Sequence, residues 1–123
     1  AARQRTNMQT ARYHVIVDIE NANSNIQNEE KVKGFLVRMA AAVDMCILCG
    51  PYVASGHPDN PGLTGFAVVD FSHISVHTFT KCNEALIDVF SCKPYDQEKM
   101  IALCMATFGG DAALQKKQIV SWG

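Results

Sequence analysis

Asp70-Phe71-Ser72-His73-Ile74-Ser75-Val76-His77-Thr78-Phe79, followed a few residues later by Ile87-Asp88-Val89-Phe90-Ser91-Cys92, decides how this chain is read. Val, Ile and Phe at this density mark strands, and serine, histidine and cysteine embedded in strand sequence ask for a reason. The run Leu63–Phe79 and the run Glu84–Cys92 are separated by Thr80-Lys81-Cys82-Asn83, a polar break of hairpin length. In an antiparallel hairpin centred near Cys82, paired residues have numbers summing to about 164, which sets Ser72 opposite Cys92. His77 lies an odd number of residues beyond Ser72, so it shares that neighbourhood only if the strand bends or bulges. A hydroxyl, an imidazole and a thiol within reach of one another are the parts of a nucleophile-and-base site. The competing reading is a partly buried hairpin whose polar groups are hydrogen-bonded to backbone.

Working outward, Ala1–Ala11 is polar and aperiodic and is expected to be a loose arm, with one domain over residues 12–123. Tyr13–Ile19 reads as the first strand, in which His14 is expected to be a satisfied structural histidine. The Asn-rich segment from Glu20 to Asn28 is a turn, with Asn25 or Asn28 as the cap of a helix. Val32, Phe35, Leu36, Met39, Ala40 and Val43 recur at three and four and give that helix, Glu29–Val43, one apolar face. Met45–Cys49 reads as a buried strand whose two thiols, Cys46 and Cys49, pack in the core. Gly50–Pro61, with three of the four prolines, reads as a long rigid loop carrying His57.

Beyond the hairpin, Pro94 and Asp96 open a second helix with an apolar stripe through Met100, Cys104 and Phe108, ended by Gly109-Gly110. Ala112–Lys117 is expected to be a polar turn or helix fragment, and Gln118–Trp122 a final strand. The element order predicts an α+β fold: a two-layer sandwich, its sheet largely antiparallel, with two helices packed on one face.

At 123 residues the chain can bury one core, and a formal charge of −1 gives no sign of a nucleic-acid or anionic-membrane partner. No apolar run approaches membrane-spanning length and no secretory segment is visible, so a cytoplasmic location is expected. Five cysteines fit a reducing compartment better than a disulfide framework, and no second Cys or His pair completes a metal site.

The segment Ser72-His73-Ile74-Ser75-Val76-His77-Thr78 with Asp88-Val89-Phe90-Ser91-Cys92 resembles the processing and active-site region of the bacterial-type S-adenosylmethionine decarboxylase proenzyme family. The likeness runs in order from about Arg12 to Val120. It implies a chain that cuts itself between Phe71 and Ser72 and turns Ser72 into a pyruvoyl group, with no metal or external cofactor. In the same way it implies His77 and Thr64 as groups assisting the cut and Cys92 as the acid that returns a proton to the substrate carbon. Ser75 and Glu20 fall at substrate-binding positions. The pyruvoyl carbonyl would join the substrate amine as a Schiff base and act as electron sink. The implied function is decarboxylation of S-adenosylmethionine for polyamine synthesis, by a homodimer with sites near its interface.

The chain departs from that pattern at named positions. Lys81 stands where a carboxylate is usual, Lys93 where glycine follows the cysteine, and Ile19 and Glu20 where the first strand usually carries aromatic rings. A ring lost at Glu20 removes a stacking surface and adds a charge suited to a cationic group. This motivates a second reading, a family member that decarboxylates ornithine or arginine. Lys81 motivates a third, a non-enzymatic relative that folds without cleaving itself.

Overall fold

The computed structural model describes residues 11–120, so most of the expected N-terminal arm and the end of the expected last strand, at Trp122, lie outside the described residues. The chain runs β1 (Tyr13–Ala22), a 3-10 turn (Ser24–Gln27), α1 (Glu29–Ala42), β2 (Ile47–Ser55), β3 (Leu63–Val69), β4 (Ser72–Phe79), β5 (Glu84–Ser91), α2 (Gln97–Phe108) and β6 (Gly109–Val120). All six strands form one sheet in the order β2-β3-β4-β5-β1-β6, with every neighbouring pair antiparallel.

Period-two alternation decides which face is covered. Val15, Val17 and Ile19 of β1, Ile74 and Val76 of β4, and Ala85, Ile87 and Val89 of β5 are fully buried. Against them pack Val32, Phe35, Leu36 and Met39 of α1 and Met100, Cys104 and Phe108 of α2. Helix α1 covers β2, β3 and β4, while α2 covers β1 and β6. The Phe35 and Phe108 rings, with centroids 5.0 Å apart, join the two helices. This is the α+β sandwich with both helices on one face. The opposite face carries His14, Asp18, Ser75, His77 and Asp88, and no element of the described chain lies over it.

Local signals explain the helix starts. The Asn28 side chain accepts from Lys31 N–H and caps α1, while Asn23 caps the 3-10 turn. Asp96 caps α2 by accepting from Lys99 N–H.

Four expectations are corrected. First, residues 63–79 form two strands, because the chain reverses at Asp70-Phe71 with Val69 paired to Ser72. Second, the strand expected at Met45–Cys49 starts later and runs further: β2 begins at Ile47 and continues through Gly50-Pro51 to Ser55, its register shifted twice, which an edge strand tolerates. Third, Cys46 and Cys49 are exposed: Cys46 lies in the link between α1 and β2, and Cys49 on the edge strand, while Met45 beside them is buried. Fourth, Ala112–Lys117 belongs to β6, a single strand that starts at the Gly109 helix cap and pairs with β1 over Leu114–Val120 and again at Gly109, its register shifted in between.

Candidate active site

The bare face of the sheet is a grid whose rows follow from strand register. One row runs Thr64, His77, Leu86, Asp18 and Lys116 across β3, β4, β5, β1 and β6. The next runs Phe66, Ser75, Asp88, Ile16 and Gln118, and the one beyond it Val68, His73, Phe90, His14 and Val120. Directly opposed residues on one face are close enough to interact. The Thr64 hydroxyl and His77 Nδ1 are hydrogen-bonded at 3.2 Å, and His14 Nε2 meets Asp88 Oδ1 at 2.8 Å. His14 is thus a structurally engaged histidine. Phe90 stacks on His73 with centroids 5.7 Å apart and meets His14 edge-on.

A cleft of about 490 Å³ opens on the β3–β4 part of this face, lined by Thr64, Phe66, Val68, Ser72, His73, Ser75 and His77. Ser72 and His77 therefore share one cleft despite their odd offset. No bulge is involved, since β4 pairs regularly with both neighbours. Instead Ser72 opens the strand with φ at +150°, a conformation side chains rarely adopt, so the strand's alternation does not carry through to it.

The turn preceding Ser72 is tied down from several sides. Cys92 N–H donates to the Phe71 carbonyl oxygen at 3.0 Å, and Cys46 N–H donates to the Asp70 carboxylate at 3.1 Å. The Lys93 ammonium sits 5.0 Å from the centroid of the Phe71 ring. Ladder register opposes Ser72 to Ser91, one residue from the expected partner Cys92, whose place beside the turn comes from its backbone bond to Phe71. Ser91, fully buried, uses its hydroxyl on the Lys93 backbone.

Glu20 is not brought to this cleft. It lies on β1, two strands from β4 or about 10 Å sideways, and is bonded to Lys116 Nζ at 2.8 Å. That bond and the carboxylate's charge raise the Lys116 pKa. Burial, with the nearby Glu84 and Glu20, raises the Asp18 carboxyl above its ordinary value against the opposing pull of Lys116. His57 sits exposed on the loop after β2, within 3.7 Å of Asp59. Among the described residues no cluster of three or more metal-ligating side chains occurs.

Phe66, Val68 and His73 line the cleft without having been singled out. His73 was legible, since it alternates with Ser75 and His77. Phe66 and Val68 were not, because their facing position depends on the unread turn at Asp70-Phe71.

Fold and cleft together define a two-layer α+β protein whose reactive side chains sit on an uncovered antiparallel sheet. The S-adenosylmethionine decarboxylase family profile matches residues 13–118. The S-adenosylmethionine decarboxylase proenzyme of Clostridium botulinum (strain Loch Maree / Type A3) is 30% identical over 97 residues, covering 77% of this chain and 81% of that protein. The proenzyme of the same name from Thermoanaerobacter sp. (strain X514) is 32% identical over 97 residues, covering 72% and 73%. The crystal structure of the adenosylmethionine decarboxylase from Aquifex aeolicus VF5 superposes with a TM-score of 0.71 at 19% identity, covering 89% of this chain and 90% of that one. The chain belongs to the S-adenosylmethionine decarboxylase family.

Proposed function

We propose that this chain is a self-cleaving, pyruvoyl-dependent decarboxylase acting on S-adenosylmethionine. The observation that carries the reading is the turn itself. Ser72 sits at φ +150° immediately after a carbonyl that already accepts a hydrogen bond from Cys92 N–H, in the cleft that holds the bonded pair Thr64 and His77. The amide donor polarises the Phe71 carbonyl and is aimed at the oxygen that gains charge when Ser72 Oγ adds to the carbonyl carbon. His77, held by Thr64, is the base in this reading, and Thr64 orients its ring.

The pyruvoyl group made from Ser72 supplies the electron sink that an α-amino acid needs to lose carbon dioxide. Phe66 and Val68 form an apolar wall of the cleft, and Ser75 offers a hydroxyl to the bound substrate. Cys92, partly buried beside the turn, returns a proton from Sγ to the substrate carbon. The bare sheet face, with Tyr52, Phe66 and Leu114 exposed on it, is the surface for a homodimer, which sedimentation of the purified protein tests.

The deciding experiment is the intact mass of the denatured protein after incubation at neutral pH. Two pieces, 1–71 and 72–123 with a pyruvoyl start, support the reading; an unbroken chain overturns it in favour of a non-processing relative. Ser72→Ala is expected to abolish cleavage and turnover, whereas Cys92→Ala leaves cleavage and lowers turnover about 100-fold or more. The second reading, a basic amino acid as substrate, is favoured by the carboxylates Asp18, Glu20 and Glu84 on the cleft's face of the sheet. Carbon dioxide release from ornithine or arginine, with none from S-adenosylmethionine, would establish it.

A further inference from the structure

We propose that Lys93, with the Cys92 amide, forms a receiver for the carboxylate that cleavage creates on Phe71. The inference rests on the self-cleavage reading and concerns the state of the turn once it has been cut. Addition of Ser72 Oγ to the Phe71 carbonyl carbon, with breakage of the Phe71–Ser72 C–N bond and a proton passed to the nitrogen, gives an ester. Removal of the Ser72 Cα proton then breaks the Cβ–Oγ bond and expels Phe71 as a carboxylate, with the former Oγ as its second oxygen. The residue left behind becomes an imine, takes up one water and releases ammonia to leave the pyruvoyl group. A neutral amide has been replaced by a full negative charge in a turn that already carries the Asp70 carboxylate.

That charge needs partners; one is in place and a second stands beside the same residue. Cys92 N–H already donates to the Phe71 carbonyl oxygen at 3.0 Å, and this oxygen is retained in the carboxylate. The Lys93 ammonium lies 5.0 Å from the Phe71 ring centroid, over the side chain of the residue that becomes the new terminus, on a flexible stem that can turn toward it. It now donates to the Asp44 carbonyl oxygen and stands 3.4 Å from the Asp44 carboxylate, whose side chain is 97% exposed. An ammonium has three donors, and an ion pair with so exposed a carboxylate is weak. A carboxylate held by a backbone N–H beside a lysine side chain only 28% exposed is the better partner.

Two measurements test this. With phenylalanine labelled at the carbonyl carbon, cleavage gives a single titrating phenylalanine carboxylate, that of Phe71. Its midpoint in the cleaved wild-type protein is expected below the ordinary range for a chain terminus, and about 0.5 to 1 unit higher in Lys93→Met. At neutral pH, Lys93→Met is expected to lower the melting midpoint of the cleaved protein by roughly 2–5 °C more than that of the uncleaved Ser72→Ala chain. The Asp44 and Phe71-ring contacts exist in both backgrounds, so the difference isolates the carboxylate. Equal losses and an unmoved titration would overturn the receiver while leaving self-cleavage intact. A Lys93→Met chain that no longer cuts would place Lys93 in the cleavage step and overturn the receiver as well. A wild-type chain that stays unbroken overturns both readings.

Discussion

Ser72 is a serine in backbone territory that suits glycine. A non-glycine residue at φ +150° costs on the order of 1–3 kcal/mol, and such strain persists only where surrounding contacts over-determine it. Here they do: the β4 ladder begins at Ser72, and Phe71 and Asp70 are each held through a hydrogen bond. Strain at this one residue raises the energy of the intact peptide relative to any cleaved product. Ser72→Gly and Ser72→Ala both remove the hydroxyl proposed as nucleophile, so both should stay unbroken and their stabilities can be compared by denaturant unfolding. Glycine relieves the strain but loses more chain entropy, by about 0.5–1 kcal/mol, so Ser72→Gly is expected to be about 1 kcal/mol more stable than Ser72→Ala. A glycine variant less stable than the alanine one by the full entropy cost of about 0.5–1 kcal/mol would show that the turn stores nothing.

Among the elements, the end of β4 is clipped to the start of β3 and to the 3-10 turn by one buried hydroxyl. Thr78 Oγ1 donates to the Ile26 carbonyl at 2.8 Å and accepts from Leu63 N–H at 2.9 Å, joining β4 to the 3-10 turn and to the start of β3. Thr78→Val keeps the shape and leaves both backbone groups without this partner, so a loss of about 2–4 kcal/mol is expected in urea unfolding. Gly62, just before β3, passes so close to Thr78 that an added Cβ would lie 1.8 Å from its carbonyl oxygen. The strands and helices that alternate cleanly, such as β1, β5 and α1, were legible in the sequence because one face of each is buried. The turn at Asp70-Phe71 was hidden because it carries no glycine, proline or asparagine and Ser72 absorbs the reversal. The ends of β2 and most of β6 were hidden for another reason. Both lie on sheet edges, where exposed faces remove the apolar alternation on which strand reading depends. Of the candidate site, Ser72, Thr64, Ser75 and His77 lie in one cleft and Cys92 beside it, whereas Glu20 lies apart because only register and strand order reveal sideways distance.

For the molecule as a whole, the bare face couples stability to pH. The folded pKa of Asp18 is raised above its ordinary value of 3.8, first by burial and then by Glu84 and Glu20. A raised carboxyl favours folding in its neutral form, so its contribution is fully present below the unfolded pKa and is lost as pH rises through the folded one. At neutral pH the ionised Asp18 therefore works against the fold. Asp18→Asn is expected to raise the melting midpoint at pH 7, with the gain shrinking on acidification and gone below about pH 3.8. A gain that is constant with pH would assign the effect to packing instead.

The proposed cut between Phe71 and Ser72 would deal the strands of one sheet to two peptides in an interleaved order. The first peptide holds β1, β2 and β3 and the second holds β4, β5 and β6, yet β1 lies between β5 and β6. Neither peptide can leave without breaking ladders on both sides of β1 as well as the seam between β3 and β4. The two should therefore travel as one species in native gel filtration and separate only in denaturant. Refolding of the cleaved form would then be a meeting of two different peptides before any dimer forms, and its yield should rise more steeply with protein concentration than that of Ser72→Ala. Under the proposed cut, the connectivity that guides assembly would be used a single time, before the chemistry that removes it.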